Sequence, residues 1–382
     1  MHLMEQILGV LLMASVMLDV FLTVLYARVG TGFISHHLAC YVWRGMRLIA
    51  CGTTRFRDRL LTYAGPLILV LLVAVWVLLL DLGAAMVIHP ALGTSVTAIS
   101  GPTPNGFFTA MYVAADSLST VGTSDMAPRT AFFRLFYSSV SILGISILTL
   151  TLTYFLEIYN ALQRRNTFAL KVHFATGETG DAADLVAGCG PRGKFEYGYS
   201  QLAEMSAEMI SFKESHQFYS VLLYFRFREP QYAMSRLALV CLDAMTLIKS
   251  ALDDEKHGWL KESAAVNMIW PSTLRMLGML AISFLPDGLP DPPNEVDDET
   301  RQRWRQRYFA GLQRLHQAGI ETVADEQQGA ENYCNLRVRW DRYIGIFADH
   351  MLHQIENIDP IGQNPAKVEQ RQDFGARLRA AG

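Results

Sequence analysis

Long apolar segments are concentrated in the first 160 residues of the chain. A helix needs about 20 mostly apolar residues to cross a bilayer core. Three segments reach that length, and they are Met4–Ala27, Leu61–Ile88 and Phe132–Tyr159. The first has no basic residues before it and no small-residue cleavage pattern after it, so we interpret it as a retained helix rather than a signal sequence. The pattern predicts a multi-pass membrane protein.

The distribution of basic residues indicates an orientation. The first connection contains arginine at 28, 44, 47, 55, 57 and 59, and Arg164, Arg165 and Lys171 follow the third segment. The connection 89–130 contains only Arg129. Because basic residues are enriched on the cytoplasmic side, we expect the first connection and the C-terminus to be cytoplasmic and the N-terminus to lie outside the plasma or inner membrane.

Two polar features modify this picture of the first helix and its connection. Residues 38–52 alternate between apolar and basic faces, as a helix lying on the membrane surface would. Asp19 falls in the middle of the first span, where a carboxylate is costly without a partner. We therefore expect Asp19 to face protein as a hydrogen-bonded packing residue, with a role in permeation as the alternative.

A shorter segment lies between the second and third spans. It runs from Asn105 to Ser119 and continues through Thr120-Val121-Gly122-Thr123-Ser124-Asp125 to Pro128. It is too short and too polar to cross a bilayer. Non-helical backbone at membrane depth is tolerated only inside protein or along water. The spacing therefore predicts a re-entrant loop that enters the membrane and returns on the same side.

These residues resemble the potassium-channel family, in which a pore helix runs into a Thr-Val-Gly-Tyr-Gly-Asp filter followed by an inner helix. Asp116 stands where the family has a carboxylate behind the filter. Gly144 lies 19 residues after Asp125, at the family's inner-helix hinge. The resemblance covers residues 60–160 and implies one subunit of a homotetrameric, pore-loop cation channel embedded in the lipid bilayer.

The resemblance also implies residue roles. A dehydrating cation exchanges its water for protein oxygens, which here would be the hydroxyl of Thr120 and the carbonyls of residues 120–123. Gly122 accepts the left-handed backbone that such a stack requires. A helical face would line the cavity, unless it simply meets lipid or a neighbouring helix, and it comprises Gly144, Ile145, Leu148, Leu152 and Leu156.

Two residues depart from the family on the outer half of the filter. Thr123 replaces the tyrosine and is too short to reach the aromatic cuff, whose positions hold Tyr112 and Val113 here. We therefore expect the outer filter to lack its usual brace. Ser124 replaces the second glycine, and a left-handed serine would cost about 1–2 kcal/mol. Potassium is the expected permeant ion, and weak selectivity that admits sodium is the alternative.

The two carboxylates that flank the outer filter allow two arrangements. Asp116 and Asp125 either approach and share a proton, or each accepts a hydrogen bond from the hydroxyl of Thr123 or Ser124. The residues alone do not choose between these arrangements.

Composition limits the function of the rest of the chain. Residues 1–165 hold ten Lys and Arg against seven Asp and Glu, which gives a net charge of +3. Since the whole chain has a net charge of −3, the remainder carries −6. This acidic balance argues against nucleic-acid binding. Five scattered cysteines form no metal or disulfide pattern. Since no nucleophile–base pair or metal motif stands out, we expect no enzymatic activity, catalytic residue, metal site or cofactor.

Helical periodicity dominates the tail. The fold class predicted overall is an all-α membrane protein, with three transmembrane helices and one re-entrant pore loop, plus an α-helical cytoplasmic domain. Helices are predicted near 197–214, 215–227, 230–252, 258–283, 299–320 and 323–356. The predicted divisions are 1–59 (first helix and basic linker), 60–165 (pore domain), 166–196 (linker), 197–358 (helical domain) and 359–382 (flexible end).

The sequence does not identify what the tail binds or what opens the channel. The tail lacks the strand–helix alternation of a nucleotide-binding domain. His350 and His353 have the i, i+3 spacing of metal ligands, although ordinary surface or core histidines are favoured. The competing function is a membrane-anchored sensor or interaction protein whose pore loop does not conduct.

Overall fold

A computed structural model describes residues 2–26, 32–51, 57–285 and 296–360. The chain divides into two compact units. The membrane unit consists of Met1–Ile49, Tyr63–Asn160 and Gln217–Phe225, and the tail unit consists of Ala50–Thr62, Ala161–His216 and Arg226–Gly382. The predicted all-α fold class is confirmed, with three helices long and apolar enough to span a membrane.

The three predicted spans are all present as helices. They are His2–Leu25, Ala64–Ala91 and Ala131–Ala175. The third helix continues well beyond Tyr159, where apolar sequence ends, into the segment predicted as a linker. The helices of this part of the chain are α1 (His2–Val20, continued by a π-helical turn Phe21–Leu25), α2 (Phe33–Cys51), α3 (Arg57–Thr62), α4 (Ala64–Ile88), α5 (Phe107–Ser119) and α6 (Ala131–Ala175).

Close packing joins α1 to α4 inside the membrane unit. A Cβ added to Gly9 would lie 2.5 Å from the carbonyl oxygen of Gly83, so both helices need glycine where they cross. Asp19 is buried and accepts hydrogen bonds from Trp76 Nε1 (2.8 Å) and from the backbone N–H of Ile34 (2.8 Å). The prediction that Asp19 is a hydrogen-bonded packing residue is confirmed.

A two-stranded ribbon frames the short helix α5. Strand β1 (Val96–Ala98) precedes α5 and pairs antiparallel with β2 (Met126–Pro128), which follows the pore-loop motif. The Ile99 N–H extends the ladder by donating to the Asp125 carbonyl at 2.7 Å. The sequence analysis did not predict these strands. They hold the two ends of the re-entrant segment side by side.

One segment of the tail sequence belongs to the membrane unit. We call residues Gln217–Phe225 the returning segment. The prediction of one α-helix over 215–227 is wrong, because the preceding helix ends at Phe218 and a 3₁₀ turn covers Ser220–Tyr224. The backbone of this segment leaves the α-helical path, and its aromatic rings pack on other residues of the membrane unit.

The tail unit is a bundle of helices around α9 (Met234–Ala251). Every residue of α9 except Arg236 and Lys249 is buried, so the helix predicted near 230–252 forms the core of this unit. The helices after α6 are α7 (Ala182–Cys189), α8 (Tyr199–Phe218), α9 (Met234–Ala251), α10 (Asp254–Lys261), α11 (Ala264–Phe284), α12 (Asp298–Gln317), α13 (Glu326–Arg337), α14 (Asp341–His350) and α15 (Ile355–Ile358).

Two long predicted helices of the tail are divided in the structure. The helix predicted at 258–283 is two helices, α10 and α11, because Ser263 caps α11 by accepting a hydrogen bond from Val266 N–H at 3.4 Å. The helix predicted at 323–356 is three short helices, α13, α14 and α15. Arg28, Arg55, residues 286–295 and nearly all of the predicted flexible end at 359–382 lie outside the described residues.

Candidate functional site

The filter motif, residues 120–125, leaves the end of α5 through two left-handed residues. Thr120 caps α5 with φ 61° and ψ 17°, and Gly122 follows with φ 69°. The prediction of a left-handed Gly122 is therefore confirmed. A left-handed threonine was not foreseen, and it is a genuine outlier for a β-branched residue. Such strain concentrates at functional sites. Val121 between them is 63% exposed in the single chain.

Ser124 avoids the strain considered for it. The positive-φ non-glycine residues in the described part of the chain are Thr120, Glu178, Arg192 and Leu352. Ser124 instead uses its hydroxyl to accept a hydrogen bond from the Met126 N–H at 3.2 Å. The outer end of the motif therefore takes a different backbone path from one that needs a second glycine.

Asp116 provides a brace for the outer filter. Its Oδ1 accepts hydrogen bonds from the Thr123 backbone N–H (2.7 Å) and from the Thr123 hydroxyl (3.1 Å). Position 123 holds no tyrosine to form the family's usual brace, and a carboxylate on α5 supports Thr123 instead. Of the two arrangements left open for Asp116, hydrogen bonding to a hydroxyl is the one observed.

The carbonyl of Thr123 is turned toward α5. The Tyr112 hydroxyl donates to this carbonyl oxygen at 3.4 Å. Tyr112 and Asp116 lie one helical turn apart on α5, so together they hold the backbone carbonyl and the backbone N–H of Thr123. Asp125, the last residue of the motif, engages the ribbon through its carbonyl oxygen. Tyr112 supports Thr123 through the backbone carbonyl, so the residue type at position 123 gives no sign of this contact.

Helix α6 contacts the end of α5 at Gly144. A Cβ at this position would lie 1.9 Å from the carbonyl oxygen of Leu118. Three residues earlier, the Ser141 hydroxyl donates to the Ser117 carbonyl at 2.8 Å and satisfies one of the free carbonyls at the end of α5. The hinge role of Gly144 stays a prediction. The structure shows a close approach there, and α6 is continuous from Ala131 to Ala175.

The predicted cavity face of α6 is uncovered in the single chain. Its four apolar side chains are between 55% and 72% exposed, and they are Ile145, Leu148, Leu152 and Leu156. A continuous apolar stripe of this kind requires lipid, a neighbouring protein chain or a dewetting pore.

A cavity of about 660 Å³ lies between α4, α5, the filter motif and α6. Thr120, Asp116 and Gly144 all contribute to its lining, so the structure brings predicted site residues from three elements together. Asp81 on α4 also lines it, and the buried Oδ1 of Asp81 has no hydrogen-bond partner among the described residues. Sequence reasoning missed Asp81, although a carboxylate inside a span was a usable signal.

The part of the chain that holds this site also matches a known protein family. Residues 68–160 match a family model described as an ion channel. The predicted resemblance is confirmed for this part of the chain, which we call the ion-channel domain. It begins within α4 and ends within α6, and so contains α5, the filter motif and the ribbon.

One relative extends beyond the ion-channel domain. The chain is 24% identical over 250 residues to a Bacillus subtilis (strain 168) protein named "Uncharacterized membrane protein YdjJ". The alignment covers 65% of this chain and 71% of that protein. No solved structure matches the chain. These comparisons support a membrane-embedded ion channel.

Proposed function

We propose that four copies of this chain form a cation channel in the cell membrane, with potassium as the preferred ion. The observation that carries the proposal is the arrangement at the end of α5. A short helix runs into an irregular segment, residues 120–123, which Asp116 holds by accepting hydrogen bonds from Thr123. Such a segment presents a hydroxyl and several carbonyls as ligands for a dehydrated cation.

Four chains are required because one chain supplies one pore loop. The filter motif and the apolar face of α6 are both exposed in the single chain, as expected of surfaces that face an axis shared with other copies. Mass measurement of the purified protein in detergent tests this assembly. A stable monomer or dimer would contradict it.

The proposed orientation places the tail unit in the cytoplasm. Arg44 and Arg47 lie on α2 and Arg57 and Arg59 on α3, between the first two spans, whereas Arg129 is the one basic residue between α4 and α6. This asymmetry favours a cytoplasmic first connection. Labelling of a cysteine introduced at Thr94, between α4 and α5, by a reagent that does not cross the membrane should occur in intact cells.

Weak selectivity among monovalent cations is the second candidate. The observation that favours it is the Thr123 carbonyl, which accepts a hydrogen bond from Tyr112 on its own α5. A carbonyl turned toward α5 is a poorer ligand for an ion on the axis, so the outer site would have fewer oxygens. Selectivity depends on the number and placement of such oxygens.

Ion flux in vesicles that contain the purified protein tests both candidates. We expect potassium flux from wild type and none from Gly122→Val, because valine opposes the left-handed backbone at this position. Within one chain a Cβ on Gly122 would meet no atom within 4 Å, so the valine acts there on the backbone conformation and not on packing. Equal flux of sodium and potassium favours the second candidate. Absence of flux from folded wild type would favour the membrane-anchored sensor instead.

We also propose that the tail tunes opening through the returning segment. Tyr219 packs against Tyr154 of α6, with ring centroids 6.0 Å apart, and Phe225 packs against Tyr159 at 6.1 Å. These contacts lie on the last part of the α6 span, next to the apolar stripe. Tyr219→Ala should change open probability in single-channel recordings and leave the sodium-to-potassium permeability ratio unchanged. A changed ratio would count against this role.

A further inference from the structure

The tail unit contains a buried cluster of ion pairs around Asp243 of α9. Asp243 is 1% exposed and accepts hydrogen bonds from Arg307 Nε (2.7 Å), Arg337 Nη1 (3.2 Å) and the Tyr333 hydroxyl (2.5 Å). Asp359 receives a second pair of contacts, from Arg307 Nη1 and from Arg337 Nη2 (3.4 Å). The cluster therefore places two guanidinium groups side by side in the protein interior.

A cavity of about 210 Å³ opens beside this cluster. Four arginines contribute to its lining, and they are Arg303, Arg307, Arg337 and Arg342. Two carboxylates, Asp341 and Asp359, also line it. Asp243 and Asp181 lie behind the wall and interact with Arg307, so the excess of positive charge belongs to the residues that line the cavity. This lining is basic inside a tail that carries an excess of acidic residues.

The two buried arginines differ in how their donors are used. All three nitrogens of the Arg337 guanidinium have acceptors, because Nε donates to Asp341 at 2.8 Å while Nη1 and Nη2 reach Asp243 and Asp359. Arg307 has acceptors for Nε and Nη1, but its buried Nη2 has no partner among the described residues. A buried donor without an acceptor is costly, so this nitrogen calls for an additional oxygen.

We propose that this cavity binds a small oxyanion, in the form of a phosphate ester or a polycarboxylate. Both present the planar or tetrahedral oxygens that arginine recognises with paired hydrogen bonds. Arg307 Nη2 lies buried in the wall of the cavity without an acceptor in the described part of the chain, and the exposed Arg303 and half-buried Arg342 supply positive charge that lines the cavity. The volume is below the range typical of drug-sized ligands, so the ligand is small.

Gly345 of α14 offers a way to fill the cavity without disturbing the ion pairs. It lines the cavity, it is exposed, and a Cβ there would meet no atom within 4 Å. A leucine at 345 therefore extends into open space, and it also improves helix propensity. Gly258 of α10 is the matched control, because it has the same free surroundings and does not line the cavity.

The test is equilibrium dialysis of the full chain in detergent against radiolabelled inorganic phosphate and, separately, radiolabelled citrate, at ionic strength fixed with potassium chloride. We expect wild type and Gly258→Leu to bind about one probe molecule per chain. Gly345→Leu should bind at least about tenfold more weakly, because the leucine side chain occupies part of a small cavity that the probe would otherwise fill.

Charge variants provide an independent check. Arg303→Gln removes an exposed charge at the opening, and Arg339→Gln removes an exposed charge that does not line the cavity. Only Arg303→Gln should weaken binding. Phosphate binding alone would identify a phosphate ester, and citrate binding alone a polycarboxylate. The proposal is wrong if neither probe binds wild type, or if Gly345→Leu and Arg303→Gln bind as tightly as their controls.

Discussion

Substitution of Gly144 by alanine tests how tightly the pore loop is held by α6. The new Cβ would lie 1.9 Å from the Leu118 carbonyl oxygen, whereas real Cβ contacts essentially never fall below 3.0 Å. The two atoms must therefore separate by more than an ångström. Leu118 is two residues before Thr120, so the displacement reaches the first residue of the filter motif.

The magnitude follows from two opposing effects. Overpacking of this kind costs typically about 1–3 kcal/mol, and occasionally more. Replacing glycine by alanine within a helix returns about 1 kcal/mol. The clash involves backbone, which cannot rotate away as a side chain can, so we expect a net destabilisation of about 1–2 kcal/mol per chain.

Thermal unfolding in detergent and potassium flux in vesicles measure the two consequences. Gly45→Ala on α2 is the matched control, since a Cβ at Gly45 meets no atom within 4 Å. We expect Gly144→Ala to unfold at a lower temperature than Gly45→Ala and to conduct poorly. If the two variants have the same stability and the same flux, the proposed contact between α6 and the pore loop is refuted.

Three further predictions concern the filter, the membrane packing and the tail. Thr123→Tyr combined with Ser124→Gly should shift the reversal potential between potassium and sodium toward potassium; an unchanged potential means that these residues do not weaken selectivity. Asp19→Ala leaves the buried Trp76 Nε1 and the partly buried Ile34 N–H without their acceptor and should destabilise the membrane unit by about 1–3 kcal/mol for the buried donor, whereas Asp19→Asn, which keeps one acceptor oxygen, should cost less in the same unfolding assay. Burial, with the nearby charge of Arg165, lowers the pKa of His216 to about 3. Unfolding then binds a proton at His216 below the ordinary pKa of 6.5, so this residue contributes a loss of up to about 1.4 kcal/mol per pH unit as the pH falls from 6.5 toward 3. His216→Gln should remove this part of the wild-type slope, and the exposed His316→Gln should leave the slope unchanged.

Apolar segment lengths predicted the membrane half of the fold because a bilayer imposes them. The position of α5 before the filter motif, and the left-handed Gly122, followed from the resemblance to the potassium-channel family. The brace from Asp116 to the Thr123 N–H did not, because backbone donors are the same in every residue. The left-handed Thr120 was not predicted either, because a β-branched side chain disfavours the conformation that the end of α5 requires.

The tail was harder to predict because helical periodicity does not mark breaks between helices. Ser263 divides one predicted helix by a capping hydrogen bond that many serines in similar positions do not make. Asp243 appeared in the sequence only as an interruption of an apolar run. Its partners Arg307 and Arg337 lie 64 and 94 residues away along the chain, so the cluster exists only through tertiary packing.

The returning segment changes how this chain can be divided for experiments. A cut after α6 at residue 176 looks like a clean removal of the tail, yet it also deletes Gln217–Phe225, which belongs to the membrane unit. Such a deletion would strip aromatic partners from Tyr154 and Tyr159, and it would expose Gly65, whose added Cβ would lie 2.6 Å from the Phe225 ring. Exchanging tails between relatives therefore requires that residues 217–225 stay with the ion-channel domain as an insertion, so that the transplanted piece is discontinuous in sequence.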